Sequence, residues 1–355
     1  MKTRIFSKAA LYVIMLLALS ATTASAKSWR INNDTRKQAN FTDINAAMAS
    51  AEVAHGDTLY LDPGCVLAST QKITKSVTVI GTGYFLQNGL VNTTINAEVQ
   101  IRAAGAKLNG VTITGETKIY ADNISLERCY FKKSISSTDA TRYGLQVTQC
   151  YICSSSGVSC IGGVLFSGAT IKNNIIRHLY VSYDDYCGIY KVDNSVIANN
   201  YIAIESCSNS SSYIRDVIST ITNSQIYNNI IKHGTAPNRI YDSSASENNN
   251  SFYNNVVTAA EGTYSNVSNI VWLGSADMST VFAEGTDDAA YHLKEGSPAK
   301  GAAADGGDCG PYGGATPYVE GGKPLYHPFI NDVTVSVKPV NCKIKLKLNA
   351  KMQNE

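Results

Sequence analysis

Four short segments of this chain share one pattern: Ile171-Lys172-Asn173-Asn174-Ile175-Ile176, Ile197-Ala198-Asn199-Asn200-Tyr201-Ile202, Ile226-Tyr227-Asn228-Asn229-Ile230-Ile231 and Phe252-Tyr253-Asn254-Asn255-Val256-Val257. The second Asn recurs after 26, 29 and 26 residues. Two earlier segments keep the register with cysteine at that anchor, Leu126 to Phe131 around Cys129 and Val147 to Ile152 around Cys150. Three before each anchor stand Leu126, Val147, Ile171, Ile197, Ile226 and Phe252; two after it stand Phe131, Ile152, Ile176, Ile202, Ile231 and Val257. All twelve are apolar, where a chain that is 44% apolar gives about five by chance.

A drifting period in the twenties, built of short β-rich pieces, suits a parallel β-helix. Each coil lays short strands on those of the coil before, about 4.8 Å away, and the stack buries an apolar face that one coil cannot. Asn at a stacked corner tolerates left-handed backbone, and its amide can bond to the amides above and below. Asn174, Asn200, Asn229 and Asn255 are therefore expected to form a structural ladder. Composition agrees: thirty Asn, 27 Gly and 21 Tyr favour many tight turns over long helices.

The ends of such a rod need caps against edge pairing. Ile44, Ala47, Met48 and Ala51 follow helical spacing, which predicts a capping helix over 42–53 with Thr42 as N-cap and Gly56 as stop. The Gly- and Pro-rich run 296–322 reads as loop. Beyond it, Lys343-Ile344-Lys345-Leu346-Lys347-Leu348 alternates cationic and apolar residues, as a gatekept edge strand or a binding face does. The expected organisation is a leader over 1–26, a cap over 27–55, a solenoid over 56–315 and a β extension over 316–355.

Lys2, Arg4 and Lys8 precede the apolar run Ala9 to Leu19, and Ala24-Ser25-Ala26 supplies a small-x-small cleavage site. That is the pattern of a secretory signal peptide, and the run is too short for a membrane span of about 20 residues. A secreted, cell-surface or periplasmic protein is expected, with no transmembrane segment in the mature chain. Thirty Lys and Arg against 28 Asp and Glu leave no basic excess for nucleic acid. Nine cysteines in an exported chain can oxidise, with one left over. Cys150-Tyr151-Ile152-Cys153 has CxxC spacing but no second ligand pair, so these cysteines read as core residues or ordinary disulfides, and no metal site is assigned.

The chain resembles secreted right-handed parallel β-helix proteins of the pectin-lyase-like superfamily. Gly56-Asp57-Thr58-Leu59-Tyr60-Leu61-Asp62-Pro63-Gly64 is similar to their entry strand, and Gly296-Ser297-Pro298-Ala299 with Asp308-Cys309-Gly310-Pro311-Tyr312-Gly313-Gly314 to their last coil. Ser76 to Leu86 resembles a segment of exported proteins from Bacteroidetes-type bacteria. The resemblance implies an all-β fold, a single-stranded right-handed parallel β-helix, and an encounter with extracellular polysaccharide. It does not fix a reaction, because this scaffold serves lyases, hydrolases, esterases and adhesins. The arginine motif of pectate lyases is missing. Of the polygalacturonase motifs, partial counterparts stand in order at Ser137-Thr138-Asp139, Asp184-Asp185, His233-Gly234 and Arg239-Ile240-Tyr241. Asp139 would lie about two coils from Asp185, too far for an inverting pair.

Stacking places Lys132, Arg177 and Lys232 in one column, three after the anchor, together with Ala203 and Thr258. Alternation turns this column outward, where it could bind an acidic glycan or serve only solubility. His178 and His233 fall one position further on and read as core or turn residues. Asp184 and Asp185 sit in an insertion between strands, as a calcium site, an acid–base pair or a solvated turn. No other cofactor is expected. The functional expectation is a monomeric, exported protein that engages polysaccharide. The alternatives are a lyase or hydrolase of acidic glycans, and a surface adhesin or structural spacer.

Overall fold

The computed structural model describes residues 26–86, 90–155, 158–179, 187–206, 216–233, 239–241, 249–261, 267–275, 277–324, 328–335 and 346–352. Short strands stack into three parallel sheets of eleven, ten and eight strands. One coil runs Thr170–Lys172 in the eleven-stranded sheet, Ile175–His178 in the ten-stranded sheet and Ile189–Asp193 in the eight-stranded sheet. The next coil then begins with Val196–Ala198, directly against Thr170–Lys172. This is a parallel β-helix.

The repeat register is the register of the stack. Leu126 pairs with Val147, Val147 with Ile171, Ile171 with Ile197, Ile197 with Ile226 and Ile226 with Phe252. All six are buried, as are Phe131, Ile152, Ile176, Ile202, Ile231 and Val257 on the adjoining sheet.

At the corner between these two sheets the paired Asn residues divide the work. The first of each pair, Asn173, Asn199, Asn228 and Asn254, takes the left-handed backbone, with φ between 50° and 56°. The second, Asn174, Asn200, Asn229 and Asn255, is fully buried and forms the ladder. Asn174 Nδ2 donates to Asn200 Oδ1 at 2.9 Å, Asn200 Nδ2 to Asn229 Oδ1 at 2.9 Å, and Asn229 Nδ2 to Asn255 Oδ1 at 3.0 Å. A second polar ladder, which the sequence reading lacks, turns the corner into the eleven-stranded sheet. Here the Ala169 amide donates to Ser195 Oγ, the Ser195 amide to Ser224 Oγ, and the Ser224 amide to Asn250 Oδ1, at 2.7, 3.0 and 2.9 Å.

The capping helix spans Ile44–Ala49, shorter than expected at both ends. Asp43, not Thr42, is the N-cap: its carboxylate accepts from the Ala46 amide at 2.7 Å. Ile44, Ala47 and Met48 are buried against the first coils, and the chain turns out of the helix at Ser50.

From Tyr151 onward much of the outer face of the ten-stranded sheet is also buried. Outward from it, Ile175, Tyr201, Ile230 and Val256 join Val281, Tyr291, Ala299 and Tyr318 in a second apolar core. The chain beyond the last stacked strand, Val271–Trp272, supplies this cover through two 3-10 turns, Asp287–Tyr291 and Glu320–Gly322, and irregular loop. Pro328–Val335 and Leu346–Met352 then pair antiparallel as a separate two-stranded extension.

Candidate functional site

Arg177 and Lys232 occupy the outward column of the ten-stranded sheet, as the repeat register requires: Arg177 pairs with Ala203, and Ala203 with Lys232. They do not form a free cationic stripe. Both engage Glu205, Arg177 Nε at 2.8 Å and Lys232 Nζ at 2.6 Å, and the three side chains are only 19–25% exposed. Tyr151 accepts a further bond from Arg177 at 3.1 Å, and the Tyr291 ring of the covering segment lies 5.9 Å from the guanidinium. Ala203 and Thr258 of the same column are buried. Burial alone would raise the Glu205 carboxyl, but Lys232 and Arg177 outweigh it and hold the group below its ordinary value. Glu205 thus bridges Arg177 and Lys232 across successive coils, and the Tyr291 ring packs the covering segment against the arginine. Lys132 stands apart from it, exposed, with its ammonium 5.4 Å from the Tyr130 ring.

His178 is fully buried, with Nε2 2.9 Å from the Val158 carbonyl, and His233 is half-buried at a strand end. Asp184 and Asp185 lie outside the described residues. Among the described residues no group of three His, Cys, Asp or Glu side chains could hold a metal ion. The seven described cysteines are all free thiols, and burial pushes Cys129 and Cys309 each up to about 12.

The open surface lies elsewhere, on the outward face of the eight-stranded sheet. Gln100 pairs with Lys118, Lys118 with Ser136, and Ser136 with Gly162. Tyr190 follows in the next coil, since Ile161 pairs with Ile189. Two residues with little or no side chain therefore stand between a lysine and a tyrosine. Beside them lies a groove of about 430 Å³ whose lining spans the coils from Lys118 to Tyr190. Three coil steps separate its ends, roughly 14 Å.

The groove's chemistry follows from its walls. Ser134, Ser136 and Thr138 bring hydroxyls, and Tyr190 closes the far end. At the near end Lys118 Nζ lies 2.6 Å from Glu98 and 3.6 Å from Glu116. Burial would raise the Glu98 carboxyl, but Lys118 and Gln100 outweigh it and set it below its usual value; the Glu98 hydrogen bond in turn sets Lys118 above its own. Both groups are thereby fixed in their charged forms. Gly163 is required by the backbone: a Cβ there would stand 2.0 Å from the Ser137 carbonyl oxygen. Of the partial motif Ser137-Thr138-Asp139, the first two residues line the groove, while Asp139 pairs with Arg142 at 2.6 Å.

None of Glu98, Glu116, Lys118, Ser136, Gly162 or Tyr190 stood out in the sequence. Their spacing is the reason: Lys118 to Ser136 to Gly162 to Tyr190 are steps of 18, 26 and 28 residues, out of phase with the anchors. No family model matches this chain, and no curated protein matches it.

Proposed function

We propose that this is an exported β-helix protein of the pectin-lyase-like kind that engages extracellular polysaccharide along the groove of the eight-stranded sheet. The observation that carries the reading is the groove itself: an open depression lined by Ser136, Thr138 and Val158, with an ion-paired lysine at one end and a tyrosine at the other. Sugars present hydroxyls to polar groups and flat C–H faces to apolar and aromatic surfaces, so a lining that mixes the two suits them.

Binding is favoured over catalysis by the charge state of the site. General acid–base work needs a group that titrates near the working pH. Glu98 is held low and Lys118 high, each by the other, so neither is set for proton transfer near neutrality. The cationic column of the ten-stranded sheet is not favoured as the glycan face, because Arg177 and Lys232 are committed to Glu205 and lie beside the covering segment.

A panel of immobilised polysaccharides, assayed together for retention of the protein, for new reducing ends and for unsaturated products, tests the proposal. Retention without product is expected. Product release would make the groove an active site, and absence of both would leave a spacer or adhesin that does not use sugars.

A further inference from the structure

Asp57 sits where a processed N-terminus would begin. We infer that cleavage between Ala26 and Lys27 creates an N-terminal ammonium that Asp57 binds, so that removing the leader fastens the first strand of the solenoid, an inference that rests on the export reading above and not on what the groove holds.

The carboxylate that would receive the amine is already in place. Asp57 directly precedes the strand Thr58–Leu61 and is 2% exposed. Its Oδ1 accepts from the Lys27 backbone nitrogen at 2.7 Å. Its Oδ2 accepts from Trp29 Nε1 at 2.8 Å and from the Ala54 amide at 2.9 Å. One carboxylate thus joins the first strand, Ser28–Ile31, to the chain leaving the capping helix and to the first coil. Burial raises this carboxyl, but the bonds from Trp29, Ala54 and Lys27 and the nearby Lys27 charge outweigh it and hold the group below its ordinary value. Asp57 is therefore a buried anion. While Lys27 is held in a peptide bond, all three of its hydrogen-bond partners are neutral N–H groups. The Lys27 ammonium lies 5.6 Å from the centre of the Trp29 ring. Buried charges are normally paired, and one without a hydrogen-bonded counterion is costly.

The position of the cut supplies the missing charge. Ala24-Ser25-Ala26 puts small residues first and third before the Ala26–Lys27 bond, the pattern a signal peptidase accepts. Ala26 and Lys27 are both exposed, so this bond is open to such a peptidase. Hydrolysis breaks the C–N bond. Water gives its hydroxyl to the Ala26 carbonyl carbon and its other hydrogen to the Lys27 nitrogen. With an ordinary pKa of about 7.7–8.0, the released amine takes one further proton from solvent at neutral pH. The nitrogen that already lies 2.7 Å from Asp57 Oδ1 becomes an ammonium without moving. A neutral hydrogen bond is replaced by a charge-assisted one, roughly twice as strong. The strand it holds is the edge of the eleven-stranded sheet, paired along its length with Thr58–Leu61. Such an edge is where a stack frays first.

Two chains test this, one beginning at Lys27 and one at Ala26, each released from a fusion partner with no residue added. Hydrogen exchange read by mass spectrometry should show Ser28–Ile31 roughly fivefold better protected in the Lys27 chain, with the later coils unchanged. Asp57→Asn should close that gap, because a neutral acceptor gains far less from the ammonium. The first comparison leaves Asp57 intact, so it decides the matter even if Asp57→Asn does not fold. Equal protection in the two chains, or a gap that persists in Asp57→Asn, would overturn the pairing. Separately, the full chain produced in an exporting bacterial host should begin at Lys27 on N-terminal sequencing. An uncut chain or another start would remove the export reading beneath the inference, whatever the exchange data show.

Discussion

Both the backbone N–H and the side-chain amide of Asn174 donate to one oxygen, the Oδ1 of Asn200, at 2.9 Å each. Asn200 Nδ2 in turn donates to the Ile171 carbonyl at 2.8 Å and to Asn229 Oδ1 at 2.9 Å. Every polar atom of the side chain is thus used, in a site with no solvent exposure. Asn200→Ala removes the acceptor for two buried donors and the donor for two buried acceptors. A loss of about 3 kcal/mol is expected, because unsatisfied buried polar groups cost roughly 1–3 kcal/mol each and partial relaxation recovers some of it. Urea unfolding followed by far-UV circular dichroism measures this, and a loss below that of a surface substitution would show that the ladder does not hold the stack.

The same ladder predicts a stabilising change. Cys150 occupies the ladder position in an earlier coil, where its thiol donates to the Leu126 carbonyl at 3.4 Å and receives the Cys129 amide at 3.5 Å. Sulfur makes a weak partner in both roles. Cys150→Asn would replace two long contacts with amide bonds of the kind seen one coil later, and the Cys150 amide already donates to Asn174 Oδ1 at 2.8 Å. A gain of about 1 kcal/mol is expected. An equal or lower denaturation midpoint would mean that the Cys129 coil is packed too tightly to admit the larger side chain.

The stack was legible in the sequence because its first two strands are separated by one fixed two-residue corner. Leu126, Val147 and Ile171 and their partners two past the anchor could therefore be aligned without knowing the loops. Legibility ended where loop length begins to vary. Ile161, Ile189 and Ile218 pair in the structure, yet they follow their anchors, Cys150, Asn174 and Asn200, by 11, 15 and 18 residues. The groove belongs to these third strands, so its Lys118, Ser136, Gly162 and Tyr190 could not be put in a column from spacing alone. Arg177 and Lys232 stand in the column that spacing predicts, with Glu205 and the covering segment beside them. The missing sign was the column one past the anchor: Tyr130, Tyr151, Ile175, Tyr201, Ile230 and Val256 are all apolar or aromatic. Alternation makes that column outward-facing, so an apolar run there requires a cover. Glu205 escaped notice because it follows the strand end and carries no repeat.

Glu205 itself gives the next prediction. Its removal in Glu205→Ala leaves Arg177 and Lys232, both about three-quarters buried, facing each other without a carboxylate. The expected loss is about 2 kcal/mol, below the roughly 3–5 kcal/mol of a fully buried broken pair because some solvent reaches all three groups. The folded-state pKa of Glu205 lies below its ordinary 4.5. Its contribution is therefore complete above about that pH and disappears as pH falls through the folded value. The stability difference between wild type and Glu205→Gln should be constant near neutrality and shrink in acid. A difference that grows on acidification would reverse the assigned sign.

Asp288 carries the opposite linkage. It is 4% exposed, in the 3-10 turn of the covering segment, and its Oδ2 accepts from the Gly321 amide at 2.6 Å and from the Tyr318 hydroxyl at 3.1 Å. Its backbone carbonyl accepts from Tyr312 at 2.9 Å, and the nearby Glu320 carboxylate adds like charge. Burial raises its pKa above the ordinary 3.8, and the Gly321 and Tyr318 bonds only partly oppose this. Between the two values the folded state holds a proton that the unfolded state has released, so the contribution of Asp288 is greatest below 3.8 and is lost as pH rises through the folded pKa. Asp288→Asn keeps an acceptor for both donors but cannot titrate. Wild type should gain stability relative to Asp288→Asn as pH is lowered from mildly alkaline buffer towards 3.8. Asp288→Ala leaves the Gly321 amide and Tyr318 hydroxyl without this acceptor and should cost about 2 kcal/mol. The cost should be local, because backbone bonds such as Tyr84 N–H to the Gly321 carbonyl and Gly310 N–H to the Asn228 carbonyl join the covering segment to the solenoid at scattered points, while the coils are bonded to one another strand by strand. Limited proteolysis of Asp288→Ala should therefore cut within 277–324 before any cut in the stacked coils. Simultaneous cleavage throughout would show that cover and solenoid unfold as one unit.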